Sequence, residues 1–169
     1  MQLLDEADQP YLRIPNHFTA SAVVIALNHI LLVHHRRIKA WLPPGGHIAD
    51  MEMPHEAAVR ETFEETGVNV EVISEPVPQT GKKDFLFLPQ PLCLHAVNAI
   101  EKEVSLYHLD LAYLCRPVPS LEHLPPITTT QEVHSARWVD LERLAELKLA
   151  NNVVEVVKLA VTKLKMPIY

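Results

Sequence analysis

The stretch from Pro43 to Gly67 constrains this chain more than any other. Pro43-Pro44-Gly45-Gly46 ends any regular element that reaches it, because two prolines and two glycines in a row suit neither helix nor sheet. Further on, Pro54 suits the first turn of a helix and Gly67 the left-handed position just past its end, so the spacing predicts a helix over 54–66. On a wheel of about 100° per residue, Thr62, Thr66, Val59 and Phe63 fall on one side, able to pack against a sheet. Glu61, Glu64 and Glu65 gather on the opposite side within roughly 100°, and Ala57 in the same arc adds no bulk. Glu56 and Arg60 lie on a flank, four apart, where they can pair.

Three carboxylates on one helical turn repel one another, and each is pushed towards its neutral acid unless a cation neutralises the group. A hard ion such as Mg²⁺ or Mn²⁺ suits them, since it prefers carboxylate, carbonyl and water oxygens; the absence of His and Cys on that face disfavours zinc there. A Glu-rich helix face is ordinarily just solvated surface. The upstream glycines change that reading, because their backbone can approach a phosphate or metal without a side chain in the way.

The rest of the chain supplies a frame. At 169 residues, 48% apolar and 21% charged, it fits one globular domain. Residues 1–16 read as a polar lead-in and 17–169 as a single domain. Strands are expected at Thr19–Leu27, Ile30–His34, from Asn69, near 92–99, near 104–115 and near 134–138, with helices near 140–148 and 151–165. Residues 75–91, rich in proline, read as a long loop. This order suggests an α/β fold with a mixed sheet covered on both faces. The net charge of −6 argues against a stable nucleic-acid complex or an anionic-membrane binder. No apolar run approaches bilayer length and the first residues lack a signal-peptide layout, so a cytoplasmic protein with Cys93 and Cys115 as reduced thiols is expected.

The residues between Gly46 and Val68 resemble the Nudix box, Gly-x5-Glu-x7-Arg-Glu-U-x-Glu-Glu-x-Gly-U, with U a bulky aliphatic. Gly46, Glu52, Arg60, Glu61, Glu64, Glu65 and Gly67 fill its fixed positions, and only Thr62 departs, standing in an aliphatic slot. Trp138 resembles a tryptophan common near the end of such domains. The resemblance implies a Nudix-type α/β/α sandwich and a Mg²⁺- or Mn²⁺-dependent pyrophosphohydrolase. Its substrate would be a nucleoside diphosphate linked to another moiety.

By that resemblance Glu61, Glu64, Glu65 and the Gly45 carbonyl match metal ligands. Arg60 matches an orienting arginine, and Glu52 its acidic partner. A further carboxylate from outside the box is expected as ligand or base; Glu132 is the preferred match, with Glu101, Glu103 and Asp110 as rivals. Glu64 is named first as general base and Glu132 second. Arg36, Arg37 and Lys39, with Lys82 and Lys83, could reach phosphates, though exposed cations are ordinarily plain surface. His108 and Asp110 share one strand face, where they could meet substrate or hold each other. Relatives are often dimers, so a homodimer stays open. Two other readings stand beside the hydrolase: a Nudix-fold nucleotide-binding regulator, and an isomerase pairing a cysteine with a glutamate, for which Cys93 is the candidate.

Overall fold

The computed structural model describes residues 16–82, 84–101, 103–119, 122–129 and 133–165. Most of the lead-in, Lys83 and Glu132 therefore lie outside the described residues. The elements run β1 (Asn16–Ala26), β2 (His29–His34), β3 (Trp41–Leu42), β4 (Gly45–His47), α1 (Pro54–Thr66), β5 (Val70–Val72), β6 (Cys93–Glu101), β7 (Val104–Pro117), β8 (Ser135–Asp140) and α2 (Val153–Lys165).

The sheet is mixed. Its centre is the parallel pair β1–β7, in register from Asn16↔Tyr107 to Val24↔Cys115, and the remaining strand pairs are antiparallel. Alternation along the two central strands sorts the core into two layers. Ala20, Ala22, Val24, Tyr113 and Cys115 face Ala57 and Ala58 of α1, while Val23, Ala112 and Leu114 face Val153, Val156, Val157 and Ala160 of α2. One helix on each face is the expected α/β/α arrangement.

The odd-numbered face of β1 changes character along its length. Under α2 it is apolar at Val23. Towards the start of the strand it carries Ser21, Thr19 and His17, opposite Ala112, Asp110 and His108 of β7. On β1's other edge, β4 pairs antiparallel in the register Thr19↔His47 and Ser21↔Gly45. A polar half-face thus opens beside the covered apolar half.

Three expectations need correcting. The Pro-Pro-Gly-Gly turn does not end regular structure for long, because Gly45–His47 resumes as β4 on the edge of β1. The helix expected near 140–148 is a 3-10 helix over Leu141–Glu146, started by Asp140 accepting from the Glu142 N–H. It stops there because the following chain is drawn alongside β3: Trp41 N–H donates to Lys148 O and Ala150 N–H to Trp41 O, both within 3.0 Å. The third correction concerns the phase of α1. Phe63 is 51% exposed, whereas Ala57, Ala58, Thr62, Glu65 and Thr66 are buried. Two alanines let the helix approach the sheet on their own side, which rotates the acidic arc to the border of the buried stripe rather than opposite it.

Candidate active site

α1 begins as its sequence requires. Pro54 occupies the first turn, the Glu56 carboxylate accepts from the Met53 N–H, and Gly67 closes the helix at φ 70° with its N–H on Phe63 O. Glu56 is therefore a cap and not the partner of Arg60. Thr62 is fully buried, and its hydroxyl donates to Ala58 O at 2.7 Å, which satisfies the polar group in what is otherwise an aliphatic slot.

Arg60 instead ties the box together. Its Nε and Nη2 fork onto the two Glu52 oxygens at 2.7 and 2.9 Å, and its Nη1 lies 2.8 Å from both Glu61 Oε1 and Glu64 Oε2. Nη2 also donates to His47 O at 3.2 Å. A bidentate guanidinium–carboxylate fork fixes direction as well as charge. The hydrogen bond to Glu52 is the main reason the guanidinium is held even more firmly protonated than usual, with Glu61 and Glu64 adding to it against burial. Reciprocally, Arg60 holds the Glu52 carboxyl below its ordinary value, against the opposing effect of burial.

The third glutamate turns inward. Glu65 is only 6% exposed, and its Oε2 accepts the Gly45 N–H at 3.0 Å. Both glycines of the turn lie in close contact, Gly45 with backbone and Gly46 with a side-chain end. A β-carbon on Gly45 would come 2.5 Å from Ala20 O, and one on Gly46 would come 2.6 Å from the Glu61 carboxyl. Glu65 and Glu61 thus lie against the Gly45–Gly46 backbone, and Arg60 Nη1 draws Glu64 to Glu61. Three carboxylates on one helix, two of them against a glycine backbone bare of side chains, are the kind of oxygen-donor set that suits a hard cation.

The other predicted residues are placed differently. His108 and Asp110 do not hold each other. Asp110 is buried and accepts from Thr19 Oγ1 at 2.8 Å and Ser21 Oγ at 2.6 Å, while His108 Nε2 lies 2.9 Å from Glu101 Oε1. Arg36 donates to Val133 O, and the Arg37 charge acts on His35 and His47. Lys82 and Glu103 are exposed. Glu101 also meets His17 Nδ1 and His47 Nε2, each at 3.3 Å. Burial tends to raise its carboxyl, but the His108 hydrogen bond and the fields of His47, His108 and His17 outweigh that, so it lies below its ordinary value. Burial, with the charges of His108, His17 and Arg37, holds the His47 imidazole below its ordinary value despite Glu101.

Sequence reasoning missed His17 and His47, and with them His95 and Asn152, whose Nε2 and Nδ2 lie 2.9 Å apart beside Asp110. The Cα registers of β1–β4, β1–β7 and β6–β7 gather the three histidines, and Asn152 joins them from the turn before α2. Cys93 and Cys115 are both free. Cys93 Sγ lies 3.7 Å from His95 Nδ1, yet burial, with the Asp110 charge, pushes its thiol up, which is the opposite of what a nucleophile needs. No helix among the described residues is long and apolar enough to cross a membrane.

Comparison with known proteins points to one family. Over 55 residues the chain is 47% identical to a Bacillus subtilis (strain 168) protein provisionally named an 8-oxo-dGTP diphosphatase, a match covering 31% of this chain and 37% of that one. It is 31% identical over 107 residues to the m7GpppN-mRNA hydrolase NUDT17 of Danio rerio, covering 60% of this chain and 32% of the relative. The matches thus span about a third of the length of these two relatives. A crystal structure of a hydrolase of the NUDIX family from Clostridium perfringens superposes with a TM-score of 0.68 at 27% identity, covering 88% of this chain and 98% of that one. The NUDIX domain model itself matches residues 15–160, from the first strand to within α2, and on that extent the chain belongs to the Nudix family.

Proposed function

We propose that the chain is a divalent-cation-dependent pyrophosphohydrolase that cleaves a nucleoside diphosphate linked to another moiety. The observation that carries this reading is the grouping of three helix glutamates, Glu61 and Glu65 against the Gly45–Gly46 backbone and Glu64 joined to Glu61 through Arg60. The relatives are named as a diphosphatase and an mRNA hydrolase, which is the same reaction class with different attached groups.

Glu61, Glu64, Glu65 and the Gly45 carbonyl would hold Mg²⁺ or Mn²⁺, which when bound neutralises diphosphate charge and lowers the pKa of water. Arg60 orients Glu61 and Glu64 while Glu52 holds Arg60 from the other side, so the carboxylates reach the reaction with little freedom to lose. Glu64, 43% exposed at its side chain, is positioned to take the proton of the attacking water and is our first choice of general base. Glu132 stays the second choice on its sequence position. Glu101 is less suited, because three imidazoles already crowd its oxygens. The polar half-face of β1 and β7, with Arg37 near His47, is where the attached group would lie. A small nucleotide in the cytoplasm, rather than a nucleic-acid complex or a membrane surface, is the expected setting.

The test is a screen of nucleoside triphosphates, nucleotide sugars, dinucleotides and coenzyme A with Mg²⁺ and Mn²⁺, with products identified by mass. Cation-dependent cleavage between two phosphorus atoms of at least one class is expected. Tight nucleotide binding with no turnover of any class would overturn the hydrolase reading in favour of a regulator.

A further inference from the structure

We propose that His17, His47, His108 and Glu101 form a second metal site, selective for a zinc-class transition ion and separate from the glutamate face of α1. One ligand atom from each lies within 4.8 Å of the others. The three imidazole nitrogens stand 3.3, 3.3 and 2.9 Å from Glu101 oxygens, and the last two share Oε1. Four donors at about 2.0 Å from a tetrahedral ion are separated from one another by roughly 3.3 Å. The cluster therefore needs only a modest contraction of its widest pair to close on an ion.

The fold prepares this arrangement. His17 and His108 are direct Cα partners across the parallel β1–β7 pair, and His47 follows from Thr19 across β1–β4. Glu101 ends β6, and its parity along the β6–β7 pairing puts it on the same face as His108. Edge-to-face ring packing sets the imidazoles side by side, with centroids 5.5 Å apart for His17–His47 and 5.1 Å for His47–His108. The strand bearing His47 is held from behind by Arg60 on His47 O. His17 and His47 are about half exposed while Glu101 and His108 are mostly covered, which gives a formed floor with an open entry.

Donor chemistry separates this cluster from the box. Three imidazoles and one carboxylate suit a borderline ion, whereas a set of carboxylates and a carbonyl suits Mg²⁺. Occupancy would pin β1, β4 and the β6–β7 hairpin together, directly beside the Gly46 turn that abuts Glu61.

The experiment uses untagged full-length protein stripped with a chelator. Zn²⁺ is titrated calorimetrically in excess Mg²⁺, and Co²⁺ is added separately as a spectroscopic probe. One equivalent of Zn²⁺ resistant to Mg²⁺ is expected, with an intense visible Co²⁺ spectrum. His47→Ala and His108→Asn should each weaken Zn²⁺ binding on the order of a hundredfold, while Glu64→Gln leaves it intact. Absence of stoichiometric Zn²⁺ binding, which would leave the cluster a hydrogen-bonded network only, overturns the proposal. So does binding that follows Glu64→Gln instead of the histidine variants. X-ray absorption of the Zn²⁺-loaded wild type guards against variants that fail to fold: three histidine scatterers are expected, and fewer than two would overturn the site.

Discussion

Two polar clusters sit back to back around β4, and they are built on different principles. Glu61, Glu64 and Glu65 come from little more than one turn of one helix, and their mutual repulsion is met by a cation from the same helix, Arg60, itself anchored by Glu52. His17, His47, His108 and Glu101 come from four strands, and there a single carboxylate serves three imidazoles. The first cluster carries excess negative charge on hard oxygen donors, the second mostly imidazole nitrogen donors. Proximity in the first is guaranteed by helical spacing. Proximity in the second exists only if three strand registers are all correct.

The largest effect expected from breaking this contrast lies in the helix. Glu64→Gln keeps the shape and loses the charge, so cation-dependent phosphate release should fall at least about a hundredfold with the circular dichroism spectrum unchanged. Near-normal turnover would remove Glu64 from the site.

The two glycines divide the next effects between fold and chemistry. At Gly45 an added methyl meets the backbone of Ala20 and Ser21, which cannot move without unpairing β4 from β1. Gly45→Ala should therefore cost about 2 kcal/mol in urea denaturation. At Gly46 the obstacle is the end of the Glu61 side chain, which can swing away. Gly46→Ala should leave stability nearly unchanged but lower turnover by roughly tenfold through the displaced carboxylate. Equal stability losses in the two variants would contradict this division.

The same contrast explains what the sequence discloses. The glutamate helix is local: its caps, its acidic arc and its glycine turn are written in consecutive residues. Even there the wheel and the fold differ in phase, because Ala57 and Ala58 draw the helix inward and leave Phe63 outside, which a wheel cannot show without the sheet. The histidine cluster is not local at all. His108 and Asp110 read as a pair that could meet substrate or hold each other, because they alternate on one strand, yet their hydrogen-bond partners come from β1 and from the far end of β6. Strand order and register, not residue type, decide such pairings, and neither is visible from one strand alone. The helix expected near 140–148 is shortened for a related reason, while that near 151–165 forms: the pull of β3 on residues 148–150 interrupts a pattern that is amphipathic throughout.

Acid titration sharpens the comparison from the helix side. The Glu52 carboxyl is held below its ordinary value chiefly by Arg60, so its folded form is the better acid. Its contribution to stability is complete above the unfolded carboxylate value and disappears as pH falls through the lower, folded value. Wild-type urea midpoints should therefore drop more steeply than those of Glu52→Gln between about pH 5 and pH 3. Parallel curves would mean that the fork contributes orientation only.

The smallest expected effect tests how the polar half-face beside the histidines is held. Asp110 is buried but lies against two hydroxyls, Thr19 Oγ1 and Ser21 Oγ, rather than against a close cation; His95 Nε2 is 3.8 Å away. Asp110→Asn replaces one accepting oxygen with a donating nitrogen, and the hydroxyl opposite can rotate to accept. The cost should be about 1 kcal/mol or less, since the hydrogen bonds are exchanged and not lost. Asp110→Ala strands both hydroxyls and should cost about 2–3 kcal/mol in the same denaturation measurement. If the two variants cost the same, the negative charge itself holds this face together, and the half-face would resemble the arginine-tied glutamates more closely than its neutral hydroxyl partners imply.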